Sequence, residues 1–269
     1  MLNIKVLSGK MYGPTSRLIR DCLQEFQPVK NNASSDKIWV TRNHSSIYGN
    51  DYIVRWGNPN PLNYKPKLEI NTAEFVRLCG KKTFSDFMLD YSIKDLDVVR
   101  FFPMSEIPEK FPVVLRKTLF GYRGKGIYII NSPDEFKENT NPSYFWSNAL
   151  EADSEYRVHI VGGNVKRIFK KIWKADITQG KIPIRSSKTC RYSLRSNFIE
   201  FKRLLRISEE LSEIIPFYKE SFFAFDIGLQ KDNGKYIIYE LNTAPGLSLN
   251  TAKIYAEWIW NKFLEVEKT

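Results

Sequence analysis

Residues 225–247 read FDIGLQKDNGKYIIYELNTAPGL and contain two runs of strand-forming residues on either side of a polar turn. The runs cover residues 222–229 and 235–242, and the turn between them has the sequence KDNG. Two short extended runs joined by a turn with Asn-Gly are typical of an antiparallel β-hairpin. The stretch therefore predicts two neighbouring strands of one sheet.

Three oxygen-bearing side chains of this hairpin are expected on one face. Side chains alternate along a strand, so Glu240 and Asn242 point to the same side, whereas Tyr239 points to the other. Asp226 lies on the partner strand near Gly228, whose small size leaves room for a ligand. Magnesium prefers carboxylate and amide oxygens together with phosphate oxygens and water. The cluster therefore predicts a magnesium-nucleotide site, and a solvent-exposed polar face is the alternative.

The chain has 269 residues, of which 42% are hydrophobic and 14% aromatic, a composition typical of an ordered globular protein. It has no apolar run of ~18 to 20 residues and no apolar leader at its start, so we expect a soluble cytoplasmic protein without a membrane partner. The cysteines, Cys22, Cys79 and Cys190, are odd in number and widely spaced, which predicts free thiols. With only His44 and His159, a zinc site and a His-centred nucleophilic triad are not expected.

The net charge of +11 is concentrated in one segment. Residues 162–206 contain 13 Lys or Arg and two Asp or Glu, whereas the basic and acidic residues in the rest of the chain are equal in number. Such a segment binds a polyanion such as a nucleic acid, neutralises nucleotide phosphates and an anionic acceptor, or forms a solvated basic face. The sequence leaves these three interpretations open.

The rest of the chain alternates short strands and helices, which predicts an α/β protein, and residues 1–70 are consistent with a small α/β unit. Strands are predicted at 4–7, 38–41, 52–56, 111–116, 127–130, 155–161 and 165–172, and helices at 14–26, 83–91, 197–215 and 250–266. Two more helices are predicted to begin at Asn71, with Glu74 completing a capping-box-like pair, and after Ser132 and Pro133. Residues 174–195 are predicted to form a loop.

A glycine-rich segment, GYRGKG at residues 121–126, lies between two predicted strands and has the form of a flap. Glycines allow backbone N–H groups to approach phosphate oxygens, and neighbouring basic side chains add positive charge. The pattern also occurs in ordinary hairpin turns, so its specificity is low. The candidate phosphate-binding residues of this segment are Gly121, Arg123, Gly124, Lys125 and Gly126.

Basic side chains outside the flap are further candidates. Arg116 ends the strand that leads into the flap, and its guanidinium suits a phosphate clamp, although a surface arginine is the alternative. Lys171 and Arg185 are candidates for stabilising negative charge that develops during a reaction.

The hairpin EYRVHIVGGNVKRIFKK sends Glu155, Arg157 and His159 to one strand face and three apolar side chains to the other. The apolar face is expected in the core. The polar face could orient the ribose and phosphates of a nucleotide, although a solvated strand face would have the same pattern.

Taken in order, PVVLR with the glycine flap, EYRVHI with its Gly-Gly turn, FDIG and ELNTAPGL resemble the motifs of ATP-grasp carboxylate–amine ligases, especially the small phage-type and glutamate-ligase-like members. The resemblance extends from about residue 71 to residue 260. It implies an ATP-grasp fold in which ATP is held between two α+β subdomains. The implied domains are a small N-terminal α/β pre-ATP-grasp domain at 1–70, a central ATP-grasp subdomain with the flap at 71–148, and a C-terminal ATP-grasp subdomain with the magnesium hairpin at 149–269.

The resemblance also implies roles for individual residues. Magnesium would be bound by Asp226, Glu240 and Asn242, and the adenine-binding hinge would be formed by Tyr144, Phe145, Trp146 and Ser147. Charge on the transferred phosphoryl group and on the oxyanion would be stabilised by Arg157, Lys171 and Arg185. Many such ligases have a lysine where this chain has Arg116, and a second nucleotide-binding lysine would be Lys81 or Lys82.

The implied activity is an ATP- and Mg²⁺-dependent condensation of a carboxylate with an amine through an acylphosphate. An amino acid, peptide or protein would be the acceptor. Two alternatives stay open at this point. One is a protein that binds or modifies nucleic acid through residues 162–206, and the other is an ATP-grasp-type small-molecule kinase.

Overall fold

The structure is a computed structural model, which describes residues 3–8, 14–26, 37–41, 51–63, 65–117, 126–173, 190–193 and 198–268. In chain order its strands are β1 (Asn3–Ser8), β2 (Lys37–Thr41), β3 (Tyr52–Trp56), β4 (Leu68–Ile70), β5 (Leu96–Val98), β6 (Phe102–Pro103), β7 (Val113–Arg116), β8 (Ile127–Ile130), β9 (Phe145–Asn148), β10 (Ala152–Val161), β11 (Asn164–Trp173), β12 (Cys190–Ser193), β13 (Phe222–Gln230) and β14 (Tyr236–Asn242). Its α-helices are α1 (Pro14–Glu25), α2 (Ala73–Leu78), α3 (Lys81–Met88), α4 (Pro133–Glu138), α5 (Phe198–Ile214) and α6 (Leu249–Glu267).

The first sheet is parallel and has the strand order β2-β1-β3-β4. The five residues of β3 are all buried, as expected for a strand in a parallel sheet that is covered on its faces. Ile4 on β1 and Ile19 on α1 share a core with Tyr255 and Phe263, which lie on the C-terminal helix α6. The C-terminal helix α6 therefore packs against the first sheet and helps to stabilise it.

The second sheet has six strands in the order β12-β11-β10-β13-β14-β5. Its neighbours are antiparallel except for β5, which runs parallel to β14. One face packs against α5, where Val158 and Ile160 on β10 meet Leu204 and Leu211 on the helix. This contact confirms the prediction that the apolar face of the β10 hairpin lies in the core.

The third sheet is a small antiparallel sheet with the order β6-β9-β7-β8. It packs against α4, which begins as predicted, with Ser132 as N-cap and Pro133 in the first turn. The Ser132 side chain accepts a hydrogen bond from the backbone N–H of Glu135.

Two predicted boundaries were wrong. The first central helix begins after Thr72, whose side chain accepts from the N–H of Phe75, and not at Asn71. Asn71 has a positive φ of 56°, and its amide instead exchanges two hydrogen bonds of 2.9 Å with the backbone of Phe222. Residues 190–193, predicted as part of a loop, form the edge strand β12, because pairing with β11 supplies hydrogen bonds that the local sequence does not reveal.

The division of the chain at residues 70 and 148 stays a prediction. Packing crosses both positions, since α6 packs on the first sheet and β5 pairs with β14 of the second. The second sheet is thus assembled from more than one part of the sequence.

Candidate functional site

The face of the second sheet that is turned away from α5 carries the polar candidates. Asp226 on β13 pairs directly with Glu240 on β14, and Ala224 pairs with Asn242. Residues that oppose each other in an antiparallel ladder point to the same side of the sheet. The three oxygen-bearing side chains predicted from the sequence therefore share one face.

Arg157 and Lys171 bind the same carboxylate on this face. The Nε and Nη2 atoms of Arg157 donate to the two carboxylate oxygens of Asp226, each at 2.7 Å. The Nζ of Lys171 lies 2.9 Å from Oδ2 of Asp226 and 3.8 Å from Oε2 of Glu155. All four side chains are buried, so the alternative of a solvated strand face was wrong.

This network controls the charge of Asp226. Burial by itself raises the pKa of that carboxyl group, but the positive charges of Arg157 and Lys171 outweigh it and hold the pKa well below its usual range. Asp226 is therefore ionised at any physiological pH. A buried carboxylate with two cationic partners stays paired unless another charged group takes the place of a partner.

Lys81, at the start of α3, extends into the site and forms an ion pair with Glu240. Burial, and then the positive charge of Arg116, lower the pKa of Lys81 to about 7, although Asp226 opposes the shift. Lys82 is more exposed and lies 2.7 Å from Asp86, one helical turn along the surface of α3. Of the two lysines that the sequence left as equivalent candidates, Lys81 is the one near the predicted metal ligands.

Arg116, at the end of β7, is half-buried and not a plain surface arginine. Its Nη1 donates to the hydroxyl of Ser147 at 2.9 Å, and its guanidinium lies 4.9 Å from the centre of the Phe101 ring. After burial, the positive charge of Arg116 is the next cause that lowers the pKa of Lys81, so the two cations interact electrostatically. Arg116 thus joins the third sheet to the charged face of the second.

The predicted hinge residues lie on and before β9, beside an apolar cluster between the two sheets. Phe145 is buried and meets Phe101 edge-on at 5.5 Å, in a cluster that also includes Ile237 and Tyr239. Trp146 points elsewhere, into the core of the third sheet, and donates from Nε1 to the carbonyl of Glu106. Tyr144 is half-buried, with the Lys117 ammonium 5.2 Å from its ring centre. Phe145 is therefore the hinge candidate whose side chain lines the space between the sheets.

His159 shares the face of Arg157 but takes part in an internal contact. Its Nδ1 lies 2.9 Å from the hydroxyl of Tyr255, and that hydroxyl donates to the carbonyl of Phe223. The hydroxyl has one proton, so Nδ1 of His159 must be the protonated nitrogen that donates to it. Burial, and then the charge of Arg157, lower the pKa of His159 to about 3. The imidazole is neutral and helps to join β10 to α6.

One detail of the hairpin geometry was wrong. The register shifts between Asp226 and Ile227, so β14 carries an extra residue at this point. A Cβ built on Gly228 would lie 2.2 Å from the hydroxyl of Tyr239, so the Tyr239 side chain covers this glycine. Gly228 makes room for Tyr239 and not for a ligand, and the predicted simple alternation fails because a bulge changes the period.

Several candidates lie outside the described residues, namely Gly121, Arg123, Gly124, Lys125 and Arg185. Gly126 is described, with φ of 74°, and its carbonyl accepts from the N–H of Lys117 at 2.8 Å. This bond closes the base of the β7–β8 hairpin. Lys117 and Gly126 are therefore the described residues on the two sides of the predicted flap.

Tyr192 was not among the predicted site residues, and Ser147 was predicted only as part of the hinge. The hydroxyl of Ser147 accepts from Arg116, and the Tyr192 ring centre lies 5.1 Å from the Arg157 guanidinium carbon. The pairing of β9 with β7 brings Ser147 to the strand that carries Arg116. Tyr192 lies in a strand that was predicted to be loop, so no alternation pattern could assign it to this face.

The basic segment 162–206 is partly engaged in ion pairs within its described part. Lys170 lies 3.8 Å from Glu200, Arg203 and Arg206 both approach Asp95, and Lys171 belongs to the site. These contacts favour an internal use of the charges over a surface that binds nucleic acid.

The oxygens of Asp226, Glu240 and Asn242 suit a magnesium ion only if other oxygen ligands complete its coordination. Within the described ranges there is no group of three or more His, Cys, Asp or Glu side chains suited to a metal. A carboxylate offers about four lone-pair positions, and three contacts from Arg157 and Lys171 leave Asp226 about one. The Oδ1 of Asn242 accepts one bond, from the N–H of Ala244 at 3.0 Å. Two acids and an amide are hard ligands that suit magnesium once phosphate oxygens and water complete its shell.

The charges of the cluster suit a polyphosphate. When Lys81 is protonated, four cations, on Lys81, Arg116, Arg157 and Lys171, accompany three carboxylates, on Glu155, Asp226 and Glu240. The cluster is therefore net positive, and a partly desolvated site with excess positive charge attracts an anion.

No family model matches the sequence, and no curated protein is significantly similar to it. Solved structures do match it over nearly the whole chain. D-alanyl-alanine synthetase A from Vibrio cholerae O1 biovar eltor superposes with a TM-score of 0.69 at 11% identity, covering 100% of this chain and 99% of that one. D-alanine–D-alanine ligase from Bacillus anthracis, complexed with ATP, gives 0.65 at 14% identity, covering 99% and 98%.

A third match is the ATP-grasp ligase PsnB, complexed with minimal precursor, Mg and ADP, with a TM-score of 0.62 at 11% identity and coverage of 97% of this chain and 98% of that one. Similarity at this level of identity concerns the fold, and the predicted ATP-grasp fold is confirmed. In the described part of the chain, none of the helices is both long and apolar enough to cross a lipid bilayer.

Proposed function

We propose that this ATP-grasp chain is an ATP-dependent ligase that joins a carboxylate to an amine. The observation that carries the proposal is the meeting of Lys81, Arg116, Arg157 and Lys171 with Asp226 and Glu240 beside the apolar cluster around Phe145. Such a cleft offers an apolar surface for a base and a net positive surface for phosphates. The fold supports the same conclusion, because the proteins it resembles include ligases of this type.

Lys81 and Arg116 are the residues that we assign to the phosphates. Both come from outside the second sheet, and repulsion by Arg116 adds to burial in lowering the pKa of Lys81. A phosphate between them would relieve this repulsion and favour the protonated amine. Arg116 presents a planar guanidinium that suits bidentate contact with phosphate oxygens.

Asp226, Glu240 and Asn242 would hold magnesium on the shared face of β13 and β14. When bound, magnesium supplies positive charge to the oxygens of the transferred and leaving phosphates. For Glu240 to provide an oxygen to magnesium, its ion pair with Lys81 must break. The ammonium of Lys81 can then bind the phosphates of ATP. The ion pairs of the site thus hold its ligands in place and exchange partners when substrates arrive.

The proposed reaction has two steps. The substrate carboxylate attacks the γ-phosphorus of ATP, which gives an acylphosphate and ADP, and the amine nitrogen then attacks the acyl carbon and displaces phosphate. Arg157 and Lys171 stabilise the negative charge that develops on the phosphoryl group and on the oxyanion. Their burial strengthens this interaction because little water screens it.

We further propose an amino acid, peptide or protein as the acceptor, in line with the phage-type and glutamate-ligase-like members that the sequence resembles. PsnB, one of the matching structures, is complexed with a precursor, which supports a peptide-like acceptor. A small-molecule kinase would instead release a stable phosphorylated product, so analysis of products separates the two.

Neighbouring lysines provide a matched test of the nucleotide site. Lys81→Met removes a cation that pairs with Glu240, whereas Lys82→Met removes one that pairs with Asp86 on the surface of α3. We expect Lys81→Met to weaken ATP binding and ADP formation at least about ten-fold, which corresponds to ~1.4 kcal/mol. Lys82→Met should behave as the unsubstituted chain, and equal effects of the two changes would contradict the assignment.

The ligase activity itself is tested by ADP formation with pools of amino acids and peptides, followed by mass analysis. A product lighter by one water than the sum of its two substrates, formed together with ADP and phosphate, is the expected result. ATP consumption with a phosphorylated product and no amide would overturn the ligase proposal and favour a kinase.

A further inference from the structure

The edge strand β12 adds one aromatic residue to the charged face. Tyr192 pairs with Lys171 on β11, and Lys171 pairs in turn with Glu155 on β10. Residues in one such row point to the same side of a sheet. Tyr192 therefore lies on the face that carries Arg157 and Asp226, although it comes from a different part of the chain.

The ring of Tyr192 packs against Arg157. Its centre lies 5.1 Å from the guanidinium carbon of Arg157 and 6.3 Å from the ring centre of Phe169, which it meets nearly edge-on. Phe169 pairs with Arg157 across β10 and β11. Arg157 is 9% exposed, whereas Tyr192 is 38% exposed, so the tyrosine forms the outer wall of this part of the site.

Asp226 and Tyr192 restrain Arg157 in complementary ways. The carboxylate binds Nε and Nη2 and thus fixes the direction in which the guanidinium plane points. An aromatic ring attracts a cation that lies within about 6 Å of its centre and limits how far the group tilts. Nη1 of Arg157 then faces Gly246, since a Cβ built on that glycine would lie 3.8 Å from it.

We propose that Tyr192 is a positioning residue, which holds the guanidinium of Arg157 flat on Asp226 so that Nη1 stays directed toward Gly246. This inference rests on the proposed ligase function, in which Arg157 stabilises developing negative charge. The ring acts through its aromatic face, so the hydroxyl is not required. Without the ring, Arg157 keeps its hydrogen bonds to Asp226 but loses one restraint on the tilt of its guanidinium, so Nη1 is held less firmly toward Gly246.

Substitution separates a positioning role from a purely structural one. Tyr192→Ala should lower kcat about ten-fold, within the range of a desolvated cation–aromatic contact, and change the KM for ATP less than about two-fold. Tyr192→Phe should restore kcat, because it keeps the ring. Tyr91→Ala, which removes a ring of 44% exposure that packs on Phe87, is the matched control and should have no effect.

A double-mutant cycle tests whether the effect passes through Arg157. In an Arg157→Lys background, Tyr192→Ala should cause little further loss, because the guanidinium that it positions is absent. Full additivity of the two losses would overturn the proposal. A Tyr192→Phe variant as impaired as Tyr192→Ala would also overturn it, since the hydroxyl and not the ring would then be responsible.

A measurement without turnover keeps the inference distinct from the ligase proposal. With ¹⁵N-labelled arginine, the Nε–H signal of Arg157, assigned by its loss in Arg157→Lys, should exchange with water faster in Tyr192→Ala than in Tyr192→Phe. Equal exchange in both variants would refute the positioning role. If the unsubstituted chain shows no ligation with any substrate but the exchange differs as expected, the ligase proposal fails and the contact between Tyr192 and Arg157 stands.

Discussion

Arg157 and Asp226 oppose each other on neighbouring strands, and two hydrogen bonds of 2.7 Å join the guanidinium to both carboxylate oxygens. Lys171 adds a third contact to the same carboxylate at 2.9 Å. Asp226, which the sequence resemblance implies as a metal ligand, thus also anchors two buried cations. The arrangement makes Asp226 important for stability, in addition to its proposed role as a metal ligand.

Asp226→Asn should destabilise the protein strongly. The substitution preserves shape but leaves Arg157 and Lys171 buried without their carboxylate, and removing one partner of a buried ion pair costs about 3–5 kcal/mol. Urea unfolding monitored by circular dichroism would give the change in the free energy of unfolding. Asp97→Asn is the control, because Asp97 is a more exposed carboxylate of the same sheet, and its loss should change stability by less than about 1 kcal/mol. Equal stability of the two variants would contradict the role of Asp226 as an anchor.

His159 should make the protein less stable as the pH falls below neutrality. The folded state lowers the pKa of His159 to about 3, whereas in the unfolded chain it is ~6.5. As the pH falls between these values, the unfolded chain takes up a proton and the folded protein does not, so stability declines by at most ~1.4 kcal/mol per pH unit. The free energy of unfolding, measured from pH 7.5 to 5, should show this slope.

Two histidine variants show which group causes this pH dependence of stability. His159→Gln should remove the slope between pH 6.5 and 5, whereas His44→Gln, which changes the other histidine of the chain, should retain it. A slope that persists in His159→Gln would show that a different group takes up the proton.

Gly228→Ala should disturb the nucleotide cleft through Tyr239. The added Cβ would lie 2.2 Å from the Tyr239 hydroxyl and 2.8 Å from Cζ, so the tyrosine ring has to leave its place. Tyr239 packs with the apolar cluster around Phe145, and we expect the displaced ring to weaken ATP binding about ten-fold or more, or ~1.4 kcal/mol. Fluorescence titration with a nucleotide analogue would measure the change.

A second substitution should relieve this effect. Combining Gly228→Ala with Tyr239→Ala removes the colliding ring, so the pair should bind nucleotide better than Gly228→Ala alone. Gly234→Ala serves as a second comparison, because an added Cβ meets no atom within 4 Å there and only its φ of 65° is unfavourable. Losses in the double variant as large as in Gly228→Ala would show that the glycine itself, and not the tyrosine, matters for binding.

Divalent ions should bind well only together with a nucleotide. Without phosphates, an ion has to compete with Arg157 and Lys171 for Asp226, and with Lys81 for Glu240. Titration with Mn²⁺ followed by electron paramagnetic resonance should give an affinity at least about ten-fold higher with ADP present, after correction for Mn²⁺ bound to free ADP. Equal affinities with and without ADP would show that the ion pairs do not control access to the ligands.

The sequence by itself predicted the helices, most of the strands and the hairpin that carries Asp226 and Glu240, but not the short strands β4, β5, β6, β9 and β12. Local patterns suffice there, since alternation along a strand fixes which side chains share a face, and Ser132-Pro133 marks a helix start. The same patterns gave the correct face for Arg157. They gave no preference between Lys81 and Lys82, because adjacent helix positions differ only in what each one meets in space.

Only the tertiary structure decided which partners these residues have. The contact between Lys81 and Glu240 joins positions 159 residues apart in the chain, and Tyr192 reaches Arg157 from a strand that forms only by pairing with β11. The bulge beside Asp226 turned Tyr239 over Gly228 against the expected alternation. Strand pairing, bulges and burial depend on the whole fold. The sequence therefore predicted the oxygen-bearing residues Asp226, Glu240 and Asn242, whereas tertiary packing decided which cations pair with them.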